Sequence, residues 1–205
     1  SAQNQYGDGC DICGATYSAT ELINPKSTLT GSTPAHKISE HVFFNLEKSK
    51  DFLKEFLDKA NIQKPIVSKL SEWLDGDLKS WDISRDDPYF GFSIPEEKNK
   101  YFYVWVDAPI GYLASAKHWA ERHDTNIKNL WGKDSEYEIH HFIGKDITYF
   151  HGLFWPALLQ ESLYKIPDSI HVHGFITVNG EKMSKSRGNF ITADEFAKAC
   201  DPELL

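Results

Sequence analysis

No apolar run in these 205 residues approaches the roughly 20 needed to cross a bilayer. No charged segment leading into an apolar stretch opens the chain, so nothing in it reads as a secretion signal. Positive charge is scarce. Lys and Arg number 22 against 30 Asp and Glu, giving a net charge of −8 and a pI near 5.6. That balance excludes a non-specific grip on a phosphate backbone, though not an RNA docked by shape at a few local contacts. Cysteine is scarce as well: Cys10 and Cys13 form one CxxC pair and Cys200 stands far away, which excludes a disulfide framework. There is no internal repeat of roughly 20–50 residues. What remains is 40% apolar and 14% aromatic, a globular composition in a length that holds one large domain or two small ones. The expected location is the cytoplasm. Both ends read as cuts in a longer protein, one close to a metal-type cysteine pair and the other at an incipient helical pattern.

Residues 1–44 are rich in Gly, Ser, Thr and Pro, the composition of loops and short strands around a small knuckle. His41-Val42-Phe43-Phe44 reads as a strand. From Asp51 the apolar period becomes helical: Phe52 and Phe56, Leu53 and Leu57, then Ile66, Leu70, Trp73 and Leu74. Lys64-Pro65 divides this stretch into two expected helices with one packing face each. Trp81 to Pro95 reads as a connector in which Tyr89, Phe90 and Phe92 are expected to pack. Beyond it, strand-type runs (101–105, 139–143, 170–173 and 175–178) alternate with helical ones (109 to about 122, and 146 to about 160). Pro156 is expected to bend or end the second of these helices. Such alternation predicts βαβ units and a parallel sheet, with ligands bound beyond the carboxyl ends of the strands.

Three expected strand ends carry unusual chemistry. At the first, Trp105 and Tyr112 flank Ala108-Pro109 and can wall an apolar pocket or simply pack in the core. At the second, Gly144-Lys145-Asp146-Ile147 precedes His151. Asp146 can cap a helix or bind a ribose hydroxyl, while Ile147 and His151, four apart, share a helix face. Taken alone, a histidine beside aromatics such as His151 is more often a satisfied core residue. At the third, His173-Gly174 leads through Ile176 to an Asn179-Gly180 turn and the loop Lys182-Met183-Ser184-Lys185-Ser186. Two lysines and two hydroxyls on a Gly-flanked loop suit phosphate oxygens, or else form a solvated basic loop. Convergence on one sheet edge favours a nucleotide site.

Five strings, in order along the chain, carry a resemblance: Cys10 to Tyr17, Trp81 to Asp86, Tyr103 to Tyr112, Phe142 to Asp146, and Val178 to Ser186. The lysine–serine loop resembles the second motif of class I aminoacyl-tRNA synthetases. Asp107-Ala108-Pro109-Ile110-Gly111-Tyr112 and the cysteine knuckle narrow the resemblance to methionyl-tRNA synthetases. It implies a methionine pocket from Trp105, Ala108, Pro109, Tyr112, Ile147 and His151, with Tyr112 and His151 donating to the sulfur. It implies ribose contacts from Gly144 and Asp146, and adenine contacts from His173 and the Ile176 backbone. Lys182, Ser184 and Lys185 would hold the triphosphate, and Arg85 belongs to a segment near that loop. Mg²⁺ is expected with ATP. Cys10 and Cys13 look like half of a four-thiolate zinc site, so zinc is expected in the intact protein and in doubt with two ligands. The implied partners are ATP, L-methionine and tRNA(Met), with no membrane.

The first class I motif, His-x-Gly-His, is not in these 205 residues. The resemblance therefore implies the remainder of a connecting insertion over 1–99 and the second half of a Rossmann-type parallel-sheet catalytic domain over 100–205, inactive alone. Two other readings stand beside it: a related synthetase for another apolar amino acid, and a catalytically silent RNA- or partner-binding protein of the same fold.

Overall fold

The structure, a computed structural model, describes residues 19–76, 78–183 and 188–204. Two compact units divide the chain, residues 1–40 and 41–205. In the described part of the first, a short 3₁₀ turn (Ala19–Glu21) is followed by a loop closed between Ser27 and Ser32. The expected cysteine knuckle lies outside the described residues.

The second unit begins with antiparallel pairs. Strand β1 (Phe43–Phe44) pairs β3 (Trp81–Asp82), and β4 (Ser84–Asp86) pairs β5 (Lys100–Phe102). Between them lie helix α1 (Lys50–Lys59), strand β2 (Asn61–Ile62) and helix α2 (Lys64–Asp75). Helix α1 buries Leu53, Phe56 and Leu57, and α2 buries Leu70 and Leu74, as the 3.6-residue period required. Pro65 sits in the first turn of α2, where a missing N–H costs nothing.

Helices α3 (Val104–Asp107), α4 (Ile110–Arg122) and α5 (Ile127–Trp131) follow, then β6 (His140–Gly144), α6 (Trp155–Glu161) and β7 (Ser169–His173). A hairpin of β8 (Thr177–Val178) and β9 (Glu181–Lys182) and helix α7 (Ala193–Ala199) complete the order. Strands β2, β7 and β6 form a parallel sheet in that order, with Gly144 opposite His173 at the carboxyl ends. The chain is thus a mixed α/β structure on a parallel sheet. Leu46, Leu53, Leu153 and Ile170 are almost fully buried in one core with β6, α1 and α2. Strand β2 and helices α1 and α2 share this sheet and core with β6 and β7.

Several expectations change. Strand 101–105 is shorter, antiparallel and outside the parallel sheet, because Val104 already starts a helix. Segment 175–178 contributes one arm of a separate hairpin. The helix expected over 146–160 is three pieces: a 3₁₀ turn (Lys145–Ile147), a π turn (Phe150–Phe154) and α6. Pro156 sits at the start of α6, so the irregular stretch lies on its N-terminal side. Phe90 and Phe92 are exposed rather than packed. Strand β2 was not foreseen, since two residues carry no period. Gln63 lengthens it, its side-chain amide donating to Val172 O at 2.8 Å and accepting from Val172 N at 3.0 Å, as a backbone would.

A candidate nucleotide and amino-acid site

Strand β6 alternates. His141 and Ile143 point into the core, while His140 and Phe142 face out. The π turn after it is buried throughout. Gly152 permits this, since a Cβ there would come within 2.6 Å of the Leu70 methyls on α2. The buried turn aims His151 back toward α4, where Tyr112 sits one turn from the helix start. The Tyr112 hydroxyl and His151 Nε2 are 3.0 Å apart, and His151 Nδ1 is 3.1 Å from Ile147 O.

These distances assign the protons. A carbonyl can only accept, so Nδ1 carries hydrogen, and Nε2 accepts from the tyrosine hydroxyl. Burial holds the His151 imidazole below its ordinary pKa, against the carbonyl bond that raises it, so the ring is neutral at pH 7. Burial also raises the Tyr112 phenol. In this arrangement the Tyr112 O–H points to His151 Nε2 and the His151 N–H to Ile147 O.

Behind the pair stands a layer that the sequence did not reveal. Trp155 Nε1 donates to His141 Nε2 at 3.2 Å. The His141 ring lies 5.3 Å from Tyr112 and 5.4 Å from His151 between centroids. Burial, and secondarily the neighbouring His151, lower His141 to about 4. Two neutral histidines thus back the site without adding charge. A signal for Trp155 existed: Ile147, His151 and Trp155 continue one i, i+4 series.

Of the other expected apolar residues, Trp105 is 38% exposed and packs on Phe150 at 5.7 Å, Pro109 is buried and Ala108 is exposed. Trp105 reaches this place from α3, not from the end of a parallel strand. Only two of the three expected strand ends therefore meet at the sheet edge.

At that edge a Cβ on Gly144 would stand 2.6 Å from Asp146 Oδ1 and 3.8 Å from His173 Cε1. Gly144, Asp146 and His173 are together. Asp146 is exposed, within the 3₁₀ turn, and caps no helix; Gly144 holds the cap position without a side-chain bond. His173 Nδ1 donates to Gly174 O at 2.8 Å, and the Ile176 carbonyl accepts from Met183 N at 3.0 Å. Lys182 is in β9 opposite Thr177, while Ser184 and Lys185 lie outside the described residues, as do Cys10 and Cys13. Arg85 is paired with Asp82 in its own segment, Nη1 lying 3.3 Å from Oδ2, and its guanidinium lies 4.0 Å over the Tyr103 ring. Among the described residues no group of three or more His, Cys, Asp or Glu is placed to hold a metal, and no helix is long and apolar enough to cross a membrane.

The sequence model of a family described as tRNA synthetases class I (M) matches residues 1–205. The chain belongs to that family. Among solved structures it is similar to Mycobacterium tuberculosis methionyl-tRNA synthetase in complex with methionyl-adenylate, with 28% identity and a TM-score of 0.68 over 92% of this chain. It is also similar to the apo form of that enzyme, with 26% identity and a TM-score of 0.60 over 82% of this chain. The matches cover 37% and 34% of those chains, so this class I synthetase sequence spans little more than a third of its solved relatives.

Proposed function

We propose that the chain is part of a cytoplasmic methionine–tRNA ligase, which activates methionine with ATP and transfers it to tRNA(Met). The observation that carries this reading is the neutral Tyr112–His151 pair, together with the grouping of Gly144, Asp146 and His173 at the carboxyl ends of β6 and β7. An uncharged aromatic and imidazole wall accepts a polarizable thioether and repels a charged side chain. With its own hydrogen committed, Tyr112 must rotate its hydroxyl to donate to sulfur. Trp105, Ala108, Pro109, Tyr112, Ile147 and His151 form the methionine pocket in this reading. Gly144 and Asp146 take the ribose, and His173 and the Ile176 backbone take the adenine. The relatives with methionyl-adenylate bound support the same pairing of ligands.

No side chain is needed as a nucleophile. The methionine carboxylate attacks the α-phosphorus of ATP in line, the bond to the β-phosphate oxygen breaks, and pyrophosphate leaves with the electron pair. Lys182, Ser184 and Lys185 supply charge and hydrogen bonds where negative charge develops. Mg²⁺ would accompany ATP and offset the charge of its phosphates. Asp82 and Tyr103 hold Arg85, which supports a role in shaping the 81–86 segment beside the loop. Cys10 and Cys13 supply two thiolates of a zinc site that needs four, so zinc belongs to the intact protein. Without His-x-Gly-His the 205 residues alone form no adenylate.

The deciding experiment is ATP–pyrophosphate exchange by the full-length protein with methionine, leucine and valine. Methionine-dependent exchange is expected to exceed the others by at least about 100-fold. Preference for leucine or valine would replace the reading with a synthetase for another apolar amino acid. No exchange at all would favour a silent RNA- or partner-binding protein.

A further inference from the structure

The β8–β9 hairpin pairs only with itself among the described strands. It leaves β7 through Gly174, where an added Cβ would meet nothing within 4 Å, so packing does not hold that joint. Its base is closed by Met183 N donating to Ile176 O at 3.0 Å. One side-chain contact at its root reaches the end of the parallel sheet. Lys145 is the first residue beyond β6, and its Nζ lies 4.4 Å from the centroid of the Phe175 ring, the residue just after Gly174. Since Gly144 and His173 are in register, Lys145 reaches across from the end of one strand to the first bulky side chain after the other.

We propose that Lys145 is a positioning residue whose ammonium, seated on the face of Phe175, latches the root of the β8–β9 hairpin to the carboxyl end of the parallel sheet. An ammonium over a benzene face is attracted by the ring quadrupole, and at an exposed place this contributes about 0.5–1 kcal/mol. That is enough to bias the hairpin's orientation and too little to lock it. The latch itself does not depend on the function proposed above. Its consequence does: a hairpin that carries Lys182 has to meet the Gly144–Asp146–His173 edge in one orientation.

The test is hydrogen exchange of the Met183 amide in the full-length protein, with amides of the β6–β7 ladder as reference. Lys145→Met and Phe175→Leu are each expected to speed Met183 exchange about 2–5-fold, the factor equivalent to the cation–π contribution. The double variant should exchange no faster than either single one. Lys145→Arg should keep the original protection, because a guanidinium stacks on the same ring. An unchanged Met183 rate in Lys145→Met overturns the proposal. So do equal acceleration by Lys145→Arg, additivity in the double variant, or acceleration of the ladder amides as well. In the full-length protein, Lys145→Met should lower ATP–pyrophosphate exchange by a similar 2–5-fold with the methionine KM unchanged. Faster Met183 exchange without that loss keeps the latch and removes the catalytic role given to the hairpin.

Discussion

The wall of the candidate site and its rim are built differently. On the wall, Tyr112, His151, His141 and Trp155 satisfy one another's hydrogen bonds, and His151 is almost fully buried. On the rim, Asp146 and Ile176 are exposed, and the hairpin is tied back through a cation–π contact. A wall of neutral, mutually bonded rings is organised before any ligand arrives. A rim of exposed carboxylate, imidazole and lysine stays solvated, since burying polar or charged groups without a partner would be costly. Under the proposed function, selectivity belongs to the wall and chemistry to the rim.

The sharpest way to break that division is Lys185→Ala in the full-length protein. Adenylate formation is expected to fall by about 100- to 1,000-fold, with methionine affinity nearly unchanged, because the charge acts as pyrophosphate departs. A comparable loss of methionine affinity would show that rim and wall are one unit.

The wall has its own signature in pH. His141 titrates near 4 when folded and near 6.5 when unfolded, so in between the unfolded chain takes the proton first. Stability is expected to be intact above about pH 6.5 and to drop by about 3 kcal/mol as pH falls to 4. Denaturant titrations from pH 7.5 to 4 check this, and His141→Gln should flatten the slope. An unchanged slope in that variant would mean that other groups carry it.

A smaller effect is expected from Tyr112→Phe. It leaves His151 Nε2 without its donor, destabilises the fold by about 1–3 kcal/mol and weakens methionine binding in the full-length protein. Thermal unfolding and equilibrium binding measure the two losses separately. Smallest of all, Asp146→Asn should leave unfolding within about 0.5 kcal/mol of the parent chain, since the side chain is exposed. A larger shift would make the rim part of the core.

Much of the fold was legible because its signals are periodic or local. Helices α1, α2 and α4, strands β6 and β7 and their parallel pairing follow from apolar spacing and strand–helix alternation. The failures have physical causes. Tyr101 to Trp105 is aromatic and β-branched, so it reads as a continuous strand, but α3 begins after Tyr103 and ends it. Phe90 and Phe92 read as packed because they are aromatic, and exposure is not a property of a residue type. Phe150 to Phe154 reads as ordinary α-helix, whereas the close approach of Gly152 to Leu70 accompanies a π turn.

The sequence by itself determined the family, through motifs whose order and spacing survive without any structure. Only the tertiary structure decided the states of the residues at the site. It set Tyr112 3.0 Å from His151, assigned the imidazole proton through the Ile147 carbonyl, and placed His141 and Trp155 behind them. Protonation and hydrogen-bond direction depend on burial and on partners up to 39 positions away, and no pattern of neighbours along a chain encodes those.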